Sequence, residues 1–175
     1  MKTPLLAFHG DLAIKKKYLA RVRAHRKADE LIHGTYWENG KGCAVGCTIH
    51  SSDHSAFERE LGIPRILARL EDGIFEGLDN GESQKWPERF LQAIPIGVSL
   101  LSVSDKFLHW LLVDKDDGVI RFTRTEKSKK AISDVGELYQ RKIAGEEVSE
   151  KYWRDVPEAA SASAAYAAYA AAAYA

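Results

Sequence analysis

PRILARLEDGIFEGL, residues 64–78, decides the fold class. Ile66, Leu67, Leu70, Ile74, Phe75 and Leu78 recur at spacings of three, four and seven, the period of one apolar helix face. Pro64 suits the first turn of such a helix, and Asp79-Asn80-Gly81 makes a turn beyond its end. The same punctuation recurs on either side. Upstream, Ser55-Ala56-Phe57-Glu58 has capping-box form and begins a short helix that Gly62 ends. Earlier still, Asp11 precedes a long polar segment with Leu12, Leu19, Val22, Leu31 and Ile32 as core candidates and Gly34 as its stop. Its weak apolar stripe and dense Lys/Arg place this helix on the outside of a bundle.

Downstream, Ser83 caps a helix carrying Trp86, Phe90, Leu91 and Ile94, in which Pro87 is tolerable only within the first turn. Pro95-Ile96-Gly97 breaks the chain again. Leu100 to Val113 is the most apolar segment and reads as the central core helix, with Phe107, Leu108, Leu111 and Leu112 inside. Asp114 to Gly118 makes a turn, and Val119-Ile120-Arg121-Phe122 reads as a short strand. Ile132, Val135, Leu138, Tyr139 and Ile143 mark a helix ending near Gly145. Ser149 caps the last regular segment, with Tyr152 and Trp153 near its start. The expected architecture is all-α: a single-domain multi-helix bundle over residues 1–158.

Residues 159–175 differ in kind, with twelve alanines, three tyrosines and two serines. Alanine is the strongest helix former, and Tyr166, Tyr169 and Tyr174 share one helical face. The expectation is a C-terminal helix packed on the domain or on a partner, with self-association as one outcome.

The chain has 175 residues, enough to bury a core without disulfide support. Its 25 basic and 25 acidic residues cancel, which removes any long-range attraction to nucleic acid or anionic membrane. The basic run Lys15, Lys16, Lys17, Arg21, Arg23, Arg26, Lys27 lacks interleaved aromatics beyond Tyr18 and reads as a solvated helix face. The apolar stretch Pro4 to Phe8 stops short of the ~7 residues of a secretory core, and none reaches the ~18 needed to span a bilayer. A cytoplasmic protein with reduced thiols is expected.

Chemistry concentrates in GKGCAVGCTIHSSDH, residues 40–54. Cys43, Cys47, His50 and His54 fall within twelve residues, and thiolate and imidazole are the ligands of zinc and other transition metals. All four closing on one ion is the metal-site expectation. His50 and His54 would face the same way if both lay on one helical turn, and Cys43 and Cys47 likewise. A competing reading is a pair of buried thiols acting as small hydrophobes. A third is a reactive thiol paired with a histidine that Asp53, Glu58 or Glu38 orients. No phosphate-binding loop, HExxH or GxSxG is present. Asp114 to Gly118 has a calcium-loop flavour but misplaces the glycine, and Thr125 stands where the bidentate Glu belongs.

The run YWENGKGCAVGC together with HSSDHSAFERELGIPRILARLEDGIFEGL resembles a family of uncharacterised bacterial helical proteins, over roughly the first two thirds of the chain. That resemblance implies no activity. The alanine–tyrosine tail resembles, in composition, the ends of immunity proteins of bacterial polymorphic toxin systems. It implies a binding protein that neutralises a toxin, with no catalytic residues to carry over. The sequence therefore favours a non-enzymatic bacterial binding or accessory protein. The alternative is a metal-binding or thiol-active helical protein that uses the Cys43–His54 cluster.

Overall fold

The computed structural model describes residues 4–155. The alanine–tyrosine segment 159–175, and the packing expected of it, lie outside the described residues. Among the described residues the protein is mainly helical, with one two-stranded sheet, and it divides after Leu101 into two compact units.

In the first unit a short 3-10 turn (Ala7–Gly10) leads into α1 (Leu12–Lys27). Asp11 caps α1 as the sequence indicates, its Oδ1 accepting from Ala13 N at 2.7 Å. The helix stops at Lys27, well short of Gly34, because Asp29 turns into the left-handed region (φ 56°). Leu31 leaves the helix and forms a parallel bridge to Gly42. The basic residues of α1 are largely spent on their own unit. Lys15 donates to the Gln92 and Ile94 carbonyls, Arg21 to that of Thr48, and Arg23 and Arg26 both pair with Glu88.

A hairpin absent from the sequence expectation follows: β1 (Trp37–Glu38) pairs antiparallel with β2 (Lys41–Gly42). Its turn is Asn39-Gly40, both at positive φ (50° and 83°). Asn-Gly is the strongest local signal for a two-residue hairpin loop.

α2 (Ala44–Ile49) starts directly after the hairpin, and all six of its residues are buried. It packs against α1, α3 (Ser55–Leu61), α4 (Arg65–Gly77) and α6 (Trp86–Ala93), so it is the centre of the unit. Small side chains allow this. A Cβ on Gly46 would collide with the Tyr36 carbonyl, so backbone meets backbone there.

The capping box expected at α3 does not form. His54 takes the N-cap position, and Asp53 instead accepts from Ser55 N at 3.0 Å and from its hydroxyl. Glu58 reaches forward to accept from Arg65 N at 2.9 Å, tying α3 to α4. Gly62 ends α3 at φ 64°, as the sequence indicates, and Pro64, expected in the first turn, takes the N-cap position just before α4. Phe57, Leu61, Ile63, Leu67 and Phe75 are buried in one core, each such side chain contributing about 1.5–3 kcal/mol. Ile66 departs from the pattern and is exposed. Asp79 caps a short α5 (Asn80–Ser83), which takes up Ser83; α6, the helix Ser83 was expected to cap, starts after Lys85 without a side-chain cap and holds Pro87 in its first turn.

In the second unit, α7 (Val103–Val113) lies along α8 (Glu126–Ile143), burying Leu111 and Leu112 with Ile132 and Val135. Residues 119–122, expected as a strand, form a 3-10 turn. Val119 is buried there and Thr123 Oγ1 donates to the Ile120 carbonyl at 2.7 Å. Among the described residues no partner strand exists for it, so local bonding supplies the backbone partners. Thr125 caps α8, accepting from Ser128 N at 3.1 Å, and α9 (Glu150–Asp155) follows Ser149. Among the described residues, no helix is long and apolar enough to cross a membrane.

The close approach at α2 gives a direct test. Gly46→Ala should destabilise the protein by about 3 kcal/mol, the upper part of the overpacking range, in chemical denaturation. A loss under about 0.5 kcal/mol, typical of an unconstrained surface site, would show that the Tyr36 segment can move away freely.

Candidate metal centre

Cys43 follows the hairpin and takes the N-cap position of α2. Its backbone is extended (φ −66°, ψ 175°), and its Sγ accepts from Gly46 N at 3.4 Å. Cys43 N donates to the Thr35 carbonyl at 2.7 Å, and its thiol lies 3.6 Å from the Tyr36 carbonyl. The residue is wholly buried. His54, at the head of α3, brings Nε2 to 3.8 Å from that sulfur and Nδ1 to 4.0 Å from Asp72 Oδ2. The edge of the Tyr36 ring packs on the imidazole, with centroids 4.7 Å apart. Asp72 projects from α4.

One ligand atom each from Cys43, His54 and Asp72 lies within 4.8 Å of the other two. Tetrahedral zinc, with bonds of about 2.3 Å to sulfur and 2.0 Å to nitrogen, places those two atoms about 3.5 Å apart. The observed Cys43–His54 separation is close to that edge.

The four residues expected from sequence do not form one group. His50 closes α2 in the left-handed region (φ 55°), and His54 belongs to a new helix. The continuous turn that would align them is therefore broken. Cys43 and Cys47 diverge because Cys43 is the extended cap and Cys47 lies inside the helix. Cys47 directs its thiol to the Gly42 and Glu30 carbonyls, at 3.3 and 3.5 Å. His50 pairs with His25 and stacks on Trp37. Asp72 was not singled out from sequence. Glu71 and Asp72 interrupt an apolar helix pattern, and a buried acid on such a face is the available cue.

The electrostatics of the group are strained. Burial pushes the Cys43 thiol well above its ordinary range, reinforced by hydrogen bonding to Asp72 and the nearby negative charge. Cys47 rises to about 12, again through burial first, with the backbone hydrogen bond at Gly42 opposing. Glu71 is 1% exposed and its carboxyl is driven well up by burial and by Asp72. Glu71 Oε2 and Asp72 Oδ1 are buried without a hydrogen-bond partner among the described residues. Buried native polar atoms seldom go unpaired. A divalent cation would draw the Cys43 proton off outright and balance these carboxylates.

No protein-family model, curated protein or solved structure matches the chain.

The raised thiols predict inert cysteines in metal-free native protein. At pH 7.5 Cys47 holds about a thousandfold less thiolate than an ordinary cysteine. Both cysteines should therefore react with an aromatic disulfide reagent at least about a hundredfold more slowly than in unfolded chain. Rapid native labelling of either would contradict the burial described.

Proposed function

We propose that the first unit is a transition-metal-binding module in which Cys43, His54 and Asp72 hold a zinc-like ion. The observation that carries this reading is the closed triangle of thiol, imidazole and carboxylate, with unpartnered buried carboxylate oxygens beside it. Three protein ligands and one position left to solvent or substrate is the pattern of catalytic zinc sites, where structural sites fill all four. Such an ion supplies Lewis acidity. The chain supplies the orientation: the cap geometry aims Cys43, and Tyr36 steadies the His54 ring.

A second reading has its own observation. His54 turns Nε2 toward Cys43 and Nδ1 toward Asp72, the order of partners in a nucleophile–base–carboxylate relay. In that relay the imidazole stands between the other two groups. Here Asp72 also faces the thiol, and the thiol's protonated form is favoured. The first fact favours chelation, and the second argues against a resting thiolate nucleophile.

For the whole chain we retain the role of a bacterial binding or accessory protein. Its cue is the composition of residues 159–175, outside the described residues.

Titration of purified protein with cobalt(II) should give a thiolate charge-transfer band at one equivalent. Cys43→Ser, His54→Ala and Asp72→Asn should each weaken binding by at least about a hundredfold, given the dependence of such sites on each ligand. Cys47→Ser and His50→Asn should retain the metal. Absence of any band, with covalent labelling of Cys43 by an electrophile that depends on His54, would favour the thiol reading instead. Loss of metal in Cys47→Ser would reassign the ligand set.

A further inference from the structure

A second polar cluster of the first unit plays no part in the metal reading. His25, on α1 and only 8% exposed, places Nδ1 2.6 Å from Glu30 Oε2 and Nε2 2.7 Å from His50 Nε2. The His50 ring stacks on Trp37, centroids 4.8 Å apart and 11° from parallel. Trp37 in turn meets the His25 ring edge-on at 5.6 Å. α1 with its following loop and the end of α2 thus meet in one hydrogen-bonded chain, against which the hairpin packs the Trp37 ring.

Two imidazole nitrogens 2.7 Å apart must share one hydrogen, one donating and the other accepting through its lone pair. The Glu30 carboxylate accepts, so His25 Nδ1 carries a hydrogen and, in the neutral ring, Nε2 is bare. His50 Nε2 is then the donor. A first extra proton can enter at His50 Nδ1 without breaking this chain. A second must go onto His25 Nε2, which sets two N–H groups against each other at 2.7 Å.

We propose that Glu30, His25 and His50 form an acid-released latch that holds the end of α2 and the 50–54 loop against α1 and the hairpin. At neutral pH the shared hydrogen keeps it closed, and protonation of both imidazoles opens it. The charged groups facing His50 are Arg21 and His25 from α1, Glu30 from the loop and Glu60 from α3. Arg21 is engaged with the Thr48 carbonyl at 2.8 Å, and Glu60 accepts from the Tyr18 hydroxyl at 2.6 Å. Loss of water, then Arg21 and His25, hold His50 below its ordinary range, while Glu30 and Glu60 oppose. With the folded value lowered, the unfolded chain binds more protons as pH falls below about 6.5. The latch's contribution is complete above that pH and is lost on acidification once the pair takes up its second proton.

The latch is independent of the metal reading, so it is tested on the full chain in chelator. The probes are the amides of His50, Asp53 and Ala56, which donate to the Gly46 carbonyl, Ser51 Oγ and the Asp53 carbonyl. Their hydrogen exchange is followed by NMR from pH 7.5 to 5.0, corrected for the intrinsic rate, with Ala68 in α4 as reference. Protection at the three sites should fall at least tenfold relative to Ala68. The bridging Nε2 proton signal should vanish over the same range. His50→Asn tolerates the left-handed backbone at this position and cannot titrate, so exchange at the neighbouring amides should lose its pH dependence. Protection that stays flat to pH 5.0 in the unmutated protein would overturn the latch. So would a bridging signal that persists at pH 5.0, or an undiminished pH dependence in His50→Asn.

Discussion

The approach of the Tyr36 carbonyl to the backbone of Gly42 and Gly46 is the constraint on which the first unit rests. No side chain fits between these segments. The hairpin therefore lies directly on the first turn of α2, and the helix can be buried along its whole length. A buried helix start cannot leave its free N–H groups to water. Cys43 serves as cap, accepting from Gly46 N, while its own N–H is taken by the Thr35 carbonyl. One contact thus fixes a helix position, a thiol direction and the seat of the Tyr36 ring against His54.

Helices with strong period and ordinary punctuation were legible in the sequence. α4 announced itself through its apolar face, and Gly62, Pro64 and Pro87 stand where their backbone restrictions require. Errors fell where a local signal had two uses. Ser55 and Glu58 have capping-box spacing, but Asp53 takes the Ser55 amide and hydroxyl, and Glu58 accepts from the Arg65 amide. The α1 pattern runs on to Gly34 in sequence because apolar Leu31 and Ile32 fit a helix or a bridge equally well. Asn39-Gly40 is a plain hairpin signal, but with two-residue strands on either side it carries no alternating apolar pattern to support it.

The candidate site was half legible, for a physical reason. Cys43 and His54 stand out as rare ligand types, and proximity in sequence suggested one group of four. Backbone direction separates them: the extended cap turns Cys43 away from Cys47, and the left-handed His50 ends the helix that would have aligned it with His54. Asp72 lies eighteen residues beyond His54 by the numbering and arrives only through the packing of α4 against α2 and α3. Periodicity treats an acid on a helix as solvent-facing by default. The exception shows only once burial is known.

The two polar clusters meet the cost of burying charge in opposite ways. Glu30, His25 and His50 form a chain in which each described donor finds an acceptor, so neutral rings satisfy it from within the protein. Cys43, His54, Asp72 and Glu71 have more acceptor than donor capacity, and two carboxylate oxygens remain without partners among the described residues. An internal hydrogen-bond chain is completed by protons already present. A surplus of buried acceptors is completed by a cation or by protonation, and holding carboxyls protonated at neutral pH costs stability. The same small segment, residues 36–37, seats an aromatic ring against each cluster: Tyr36 on His54 and Trp37 on His50. The glycine contact that positions this segment therefore sets the geometry of both.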